Sequence, residues 1–418
     1  MSYVPNTKKD QQELLTAIGL SSLEELFRDI PSASRLIAPL QLPPPLSELE
    51  LERELALGST RNKSDNSFLG AGCYKHFIPS VVKHIISRSE FYTAYTPYQA
   101  EMSQGTLQTI FEYQTMVCEL TGMDIANASM YDGATALAEA ALLACRQTRR
   151  KEIVVDEGLH PEYLKVLKTY ADAGGFDTSA FGGHSATGQA SPCRPTDKTA
   201  CLIIQQPNFF GNIIETSAAC ENIHKQGGLF IVCVPDIVSL GVLKAPGQYG
   251  ADIAVGEGRS LGTPMSFGGP ALGIFAAKKE LLRQVPGRIV GQTTDKDGKR
   301  GFCLTMQTRE QHIRREKAGS NICSNEALCA LAACVYLSAM GKQGLRKVAE
   351  LCLQKAHYLA DKIELVDPDK PFFREFVVKT DKPVGLDLSR YYPDRKGQRL
   401  ICVSELHTKK DLDRLAKL

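Results

Sequence analysis

The chain alternates short apolar runs with segments of helical pattern between residues 152 and 276. The apolar runs predict buried strands, at residues 153–155, 201–205, 229–234, 253–255 and 271–276. Helical patterns at residues 161–170 and 218–226 separate them. Strands separated by helices need crossover connections, so the pattern predicts an α/β fold with a mostly parallel sheet between helices.

The predicted organisation has three parts. Residues 1–66 form an N-terminal arm and linker, because their helical patterns are short and a proline-rich stretch at 42–46 excludes helix. Residues 67–340 form the large α/β domain, which ends in an apolar helix at 326–340 that Gly341 and Gly344 are expected to stop. Residues 341–418 form a small α+β domain.

Composition excludes several functions. A formal net charge of +2 gives no reason to expect a nucleic acid or an anionic membrane as partner. The thirteen cysteines are scattered without a CxxC pair, which predicts reduced thiols in the cytoplasm and no metal site. No apolar run approaches the roughly 20 residues that a membrane helix needs, so we expect no membrane span.

Two strand ends carry the residues on which a catalytic interpretation depends. Asp236 follows the strand at 229–234, and a glycine-rich turn at 256–260 follows the strand at 253–255. Ligands bind at carboxyl ends of parallel strands, and pyridoxal phosphate enzymes hold the cofactor there with an aspartate and a Schiff-base lysine. Here Arg259 and Ser260 stand where the lysine is expected. Neither side chain can form an imine, so no catalytic residue is expected in this chain.

A second candidate feature is the turn that opens a long alanine-rich helix, formed by Asp132, Gly133, Ala134 and Thr135. The free N–H groups of a helix start favour a phosphate, but the negative charge of Asp132 argues against tight phosphate binding. His160 begins another helix and either stacks on a cofactor ring or serves as a polar N-terminal residue.

A third feature is a polar, proline-broken loop at residues 92–105. Its candidate binding residues are Tyr95, Tyr98, Gln99, Glu101 and Gln104. Loops with such groups often carry binding functions. The alternative is a solvated loop whose tyrosines pack on the core.

Four stretches together resemble one protein family: TAYTPYQAEMSQG, FEYQTMVCELTGMDIANASMYDGATALAEA, GEGRSLGTPMSFGGPALGIFA and QTREQHIRREKAGSNICSNEAL. They are similar to the alpha subunit of the two-subunit glycine dehydrogenase (decarboxylating), the P-protein of the glycine cleavage system. The resemblance runs from Tyr3 to about Leu345. From Val366 onward the tail is expected to be shorter than the small domain of that family.

The resemblance implies the fold of type I pyridoxal phosphate enzymes, which is aspartate aminotransferase-like. It implies that a beta subunit carries pyridoxal phosphate on the Schiff-base lysine, in a cytoplasmic α2β2 assembly. That assembly would decarboxylate glycine and pass the aminomethyl group to the lipoyl group of the H-protein. The isolated chain is expected to be inactive.

The resemblance also gives roles to the candidate residues. Asp132, Gly133, Ala134, Thr135, His160 and Asp236 would be the remains of a cofactor pocket. Tyr95, Tyr98, Gln99, Glu101, Gln104, Arg314 and Asn321 would face the partner's active site. For Arg314 and Asn321, pairing on a helix face and helix capping are the competing interpretations.

Two alternatives stay open from the sequence. The first is a self-sufficient pyridoxal phosphate enzyme of the aminotransferase or desulfurase kind, for which Lys244 or Lys278 would supply the amine. The second is a scaffold protein without a catalytic role.

Overall fold

The structure is a computed structural model that describes residues 6–36, 38–62, 67–181, 195–322 and 325–417. By its contacts the chain divides into two units, Met1–Asp65 and Asn66–Leu418. The first unit contains helices α1 (Lys8–Ala17) and α2 (Glu48–Ser59), each with a capping box at its start. The three-part division into residues 1–66, 67–340 and 341–418 stays a prediction.

The large unit is built on a seven-stranded sheet. Its strands are β1 (Ile125–Ala126), β2 (Glu152–Asp156), β3 (Asp177–Phe181), β4 (Thr199–Gln205), β5 (Leu229–Val234), β6 (Ile253–Glu257) and β7 (Gly273–Ala277). Their order is β1-β7-β6-β5-β4-β2-β3, and the five strands from β6 to β3 are parallel. β7 is antiparallel to both β6 and β1. The mostly parallel sheet between helices is therefore confirmed.

Helices cover the sheet and continue into the small domain. They are α3 (Ser80–Ile86), α4 (Ser89–Tyr92), α5 (Gln104–Thr121), α6 (Gly133–Thr148), α7 (Pro161–Gly174), α8 (Ser217–Lys225), α9 (Gln311–Arg314), α10 (Ala327–Ala360) and α11 (Lys409–Ala416). Val154 and Val232 belong to the core on one face of the sheet, whereas Val155 and Ile231 belong to the core on the other. Because both faces are buried, the strands are apolar throughout, which is why the sequence pattern located them.

Two smaller sheets complete the fold. β8 (Ile289–Thr294) and β9 (Arg300–Thr305) form a hairpin. β10 (Glu375–Lys379), β11 (Leu386–Asp387) and β12 (Gln398–Cys402) form a three-stranded antiparallel sheet in the order β10-β12-β11. This sheet packs with α11 and the end of α10 around a separate core.

The prediction that the apolar helix stops at Gly341 is confirmed in part. Gly341 is non-helical, with φ 60° and ψ −179°, and it separates two helical segments of α10. Helix then resumes through Gly344 and continues to Ala360, which was not predicted. The helix is long and apolar enough to meet the length and composition of a membrane span, contrary to the expectation that no segment would. Half of that apolar window is buried inside the protein, as expected of a core helix.

Candidate functional site

Asp236 lies just beyond the carboxyl end of β5, and its side chain is buried. The Arg374 guanidinium forms an ion pair with it, with Nε 2.5 Å from Oδ2. Arg374 is 1% exposed, and its guanidinium lies 4.0 Å from the centre of the Tyr74 ring. In pyridoxal phosphate enzymes, an aspartate holds the cofactor's pyridinium nitrogen. In this chain, the positive charge that pairs with Asp236 is the guanidinium of Arg374.

The loop before Tyr74 is hydrogen-bonded to Glu375, the residue that follows Arg374. The Ala71 N–H and the Tyr74 hydroxyl each donate a hydrogen bond of 2.7 Å to the Glu375 carboxyl group. The His160 ring lies against the loop, with Nε2 2.9 Å from the Ala71 carbonyl oxygen. Its Nδ1 accepts a hydrogen bond from the Glu162 N–H at the start of α7. Both nitrogens of His160 are therefore engaged within the chain, as the helix-start interpretation predicts.

The start of α6 binds two carboxylates of the chain itself. Asp132 accepts hydrogen bonds from the Ala134 and Thr135 N–H groups, at 2.8 and 3.0 Å. The Gly133 N–H donates to Glu257 Oε2 at 3.1 Å. A phosphate at this helix start would have to displace these bonds, and the negative charge of Asp132 would repel it.

The space that remains beside Asp236 is a cavity of about 10 Å3. It is lined by Tyr74, Gln205, Pro207, Gly211, Pro235, Asp236, Phe373, Arg374 and Glu375. A cavity of this size holds about one water molecule. The residues present therefore do not fit pyridoxal phosphate, and no reaction step is assigned to the cofactor in this pocket.

Arg259 and Ser260, at the expected lysine position, do not line the cavity beside Asp236. The Arg259 guanidinium lies 3.1 Å from Cys73 Sγ and 3.4 Å from the Gly268 carbonyl oxygen, and Ser260 is buried. Lys278 pairs with Asp252, which immediately precedes β6. β5 and β6 are parallel, and Asp236 follows β5 whereas Asp252 precedes β6. Lys278 therefore lies at the amino ends of these strands, and Asp236 lies at their carboxyl ends. Lys244 is exposed. Neither lysine lines the space beside Asp236.

Three groups near Arg374 have the chemistry of metal ligands. Ligand atoms of His76, Cys352 and Glu405 lie within 4.8 Å of one another. Glu405 already pairs with His76 Nδ1 at 2.9 Å, and Arg374 Nη1 lies 3.0 Å from His76 Nε2. Both imidazole nitrogens of His76 are engaged, and the positive charge of Arg374 lies beside them. A metal cation would be repelled by that charge, so this cluster disfavours metal binding.

The pH dependence of stability tests the closed pocket. Burial raises the pKa of Glu375 to about 7, despite the opposing hydrogen bonds from Ala71 and Tyr74. Because the folded-state pKa lies above the unfolded value, Glu375 stabilises the fold below about pH 4.5, and this contribution is lost as pH rises through 7. Glu375→Gln should flatten the fall in unfolding free energy between about pH 4.5 and 7, by up to about 1.4 kcal/mol per pH unit.

Urea unfolding of both proteins at four pH values measures this difference. Glu364→Gln changes an exposed carboxylate and is the matched control. Parallel pH profiles for Glu375→Gln and the unchanged chain would contradict the interpretation.

The tyrosine-rich loop is largely exposed. Tyr95 is 80% exposed and Tyr98 is 51% exposed. Arg288 Nη2 donates to the Tyr98 hydroxyl at 3.1 Å. Gln104 is engaged with the backbone, because its amide bonds to both N–H and C=O of Phe302 and to the Ala100 carbonyl. Gln99 and Glu101 are exposed.

The charged run at 308–317, expected from its sequence to be one face of a solvated helix, is not one helix, because α9 ends at Arg314 and Arg315 has a positive φ of 53°. Arg314 and Asn321 are exposed, and Glu310 lies near Arg288 and His312 rather than Arg314. The structure brings Tyr98 near this run, with its ring centre 6.3 Å from that of His312. Sequence reasoning missed Arg288, which is 3% exposed and connects Tyr98 with Glu310. The one sequence signal that could have singled out Arg288 is its position directly after Pro286 and Gly287.

Comparison with known proteins gives consistent matches. The family model described as "Glycine cleavage system P-protein" matches residues 1–418. The "Probable glycine dehydrogenase (decarboxylating) subunit 1" of Moorella thermoacetica is 52% identical over 437 positions, covering 99% of this chain and 98% of that protein. Its counterpart in Carboxydothermus hydrogenoformans is 51% identical, covering 100% and 99%. The 437 positions exceed the 418 residues here, so the Moorella relative carries residues that this chain lacks.

A crystal structure of inhibitor-bound glycine decarboxylase, the P-protein of the glycine cleavage system, matches with a TM-score of 0.83 at 43% identity. The match covers 100% of this chain and 99% of that one. Sphingosine-1-phosphate lyase of Burkholderia pseudomallei matches with a TM-score of 0.62 at 14% identity, covering 93% of each chain, which supports the fold alone. The fold is that of type I pyridoxal phosphate-dependent enzymes. The chain belongs to the glycine cleavage system P-protein family, as a subunit of the oxidoreductase glycine dehydrogenase (decarboxylating).

Proposed function

We propose that this chain forms one wall of a shared active site and leaves the cofactor to a partner subunit. The observation that carries the proposal is the small cavity beside Asp236, whose carboxylate already pairs with Arg374. The second subunit would bind pyridoxal phosphate covalently through its own lysine. The isolated chain would then have no activity.

The partner is implied by the words "subunit 1" in the names of the relatives. We propose a cytoplasmic α2β2 assembly with a lysine-bearing beta subunit. The exposed apolar and aromatic side chains of the large unit support a partner, and they include Tyr92, Tyr95, Tyr98, Met102, Phe267, Ile313 and Leu328. Obligate interfaces commonly bury more than about 2,000 Å2, which needs surfaces of this kind.

In the complex, glycine would lose carbon dioxide and the aminomethyl group would pass to the lipoyl group of the H-protein. We assign this chain the task of orienting glycine with Tyr95, Tyr98, Gln99, Glu101, Gln104, Arg314 and Asn321. The Tyr98 hydroxyl accepts a hydrogen bond from Arg288, so its own proton is free to donate to a carboxylate. Gln104 would act by holding the loop against β9.

Tyr98→Phe in the assembled enzyme is expected to lower kcat/KM for glycine. Removing one hydrogen-bond donor from a closed site costs about 1–3 kcal/mol, or roughly 5- to 150-fold. Tyr95→Phe should reduce kcat/KM in the same way. Steady-state glycine decarboxylation by the complex measures both effects.

The matched control is Tyr92→Phe, which removes an exposed hydroxyl from a residue outside the proposed set. Size-exclusion chromatography checks that each variant still assembles. If both Tyr95→Phe and Tyr98→Phe leave glycine kinetics unchanged, the loop has a structural role only and the proposed orientation of glycine is wrong.

A further inference from the structure

A cavity of about 540 Å3 lies between the end of α6 and the segment that follows β9. Five basic residues line it, namely Arg146, Arg283, Arg309, Arg314 and Lys317. Glu310 is the carboxylate among its lining residues. The volume lies within the range of sites for small molecules. The lining therefore combines a ligand-sized space with a strong excess of positive charge.

Four of these basic groups form no ion pair within the described residues. In the described parts of the chain, no carboxylate oxygen lies within 4.0 Å of a side-chain nitrogen of Arg146, Arg283, Arg314 or Lys317. Glu310 lies closer to Arg288 and His312. Among the described residues, these four basic groups thus have no ion-pair partner.

Arg146 is the group that points most directly to a ligand. Its Nη2 is buried and has no hydrogen-bond partner. Burial lowers the pKa of Arg146, and the nearby Glu139 opposes this effect only in part. A guanidinium stays charged at neutral pH, and a buried charge without a partner is costly. An anion in the cavity would remove that cost.

Arg309 shapes the cavity wall. It donates to the backbone carbonyl oxygens of Met306, Val285 and Gly287. These bonds join the segment after β9 to the turn that precedes β8. Its donors are occupied, so Arg309 contributes charge, whereas Arg146, Arg283 and Lys317 keep donors for a ligand.

We propose that this cavity binds a small multivalent oxyanion, one that carries a phosphate or more than one carboxylate. Guanidinium groups bind both anions in a bidentate manner. Several converging cations favour a multivalent anion over a monovalent one because each added charge strengthens the attraction. Arg314 lines this cavity and also belongs to the set assigned to glycine. The proposal does not rest on the function proposed above, because Arg146, Arg283 and Lys317 carry it and lie outside that set.

The test is calorimetric titration of the full chain, and of the reconstituted two-subunit complex, with pyrophosphate and with citrate. Arg146→Met removes the guanidinium whose Nη2 is buried, and the double variant Arg283→Gln/Lys317→Gln removes two exposed charges with little risk to folding. Both are expected to weaken binding by about tenfold or more, as for lost charge-assisted hydrogen bonds. Lys342→Gln/Lys347→Gln, on the exposed side of α10, removes the same charge elsewhere and should bind like the unchanged chain.

Tighter binding of pyrophosphate would identify a phosphate ligand, and tighter binding of citrate a polycarboxylate. The proposal is wrong if neither anion binds saturably. It is also wrong if the double variant binds within about twofold of the Lys342/Lys347 control.

Discussion

Arg374→Met is expected to lower the free energy of unfolding by about 3–5 kcal/mol, because it leaves the buried Asp236 carboxylate without its partner. The two side chains are 1% and 6% exposed, so water cannot replace the lost contact. The substitution also removes the cation that stacks on Tyr74 and the group beside His76. Methionine keeps much of the volume, so most of the loss is electrostatic. Urea unfolding of the purified chain measures it.

Two further variants isolate the cause. Arg399→Met breaks an ion pair with Asp387 that is partly exposed on both sides, and should cost less than about 1 kcal/mol. The double variant Arg374→Met/Asp236→Asn should recover part of the loss, because no unpaired charge stays buried. If the Arg374→Met variant were as stable as the Arg399→Met variant, the buried ion pair between Arg374 and Asp236 would not have the structural role assigned to it.

The central sheet was predictable from sequence because its strands are buried on both faces. The run at 229–234 is apolar throughout, and the structure places β5 at those residues. The hairpin β8–β9 was missed since one end of each strand is exposed, and its sequence carries a turn signal without a continuous apolar pattern. Gly341 was interpreted as a stop because glycine disfavours helix, and the backbone is indeed non-helical at that residue. Helix resumes directly after it, because apolar residues such as Leu345 and Val348 pack on the core.

The site was predictable only in part. Asp236 could be placed at a strand end, since it follows the clearest strand in the sequence. Its partner Arg374 lies far along the chain, and nothing local in the sequence indicates that the two side chains meet. The contact of Glu257 was equally unpredictable. Its carboxyl group accepts a hydrogen bond from Gly133 at the start of α6, which lies far from β6 in the sequence. Contacts of this kind depend on tertiary packing, which periodicity does not report.

The isolated chain is expected to release no carbon dioxide from glycine, even with added pyridoxal phosphate. Mixing it with the second subunit should restore turnover at least about a millionfold above the uncatalysed rate. Arg259→Lys supplies an amine at the expected lysine position, yet the isolated variant should stay inactive because Arg374 still pairs with Asp236 and Glu257 still binds the start of α6. Release of labelled carbon dioxide from glycine measures this. Glycine-dependent release by the chain alone would contradict the proposed function.

The location of the cofactor tests the central claim most directly. The assembled enzyme would be loaded with pyridoxal phosphate and treated with borohydride, which fixes a Schiff base as a stable adduct. Mass spectrometry of each separated chain would then locate that adduct. The account predicts one pyridoxyl adduct on the partner chain and none on this chain. A stoichiometric adduct on a lysine of this chain would contradict it.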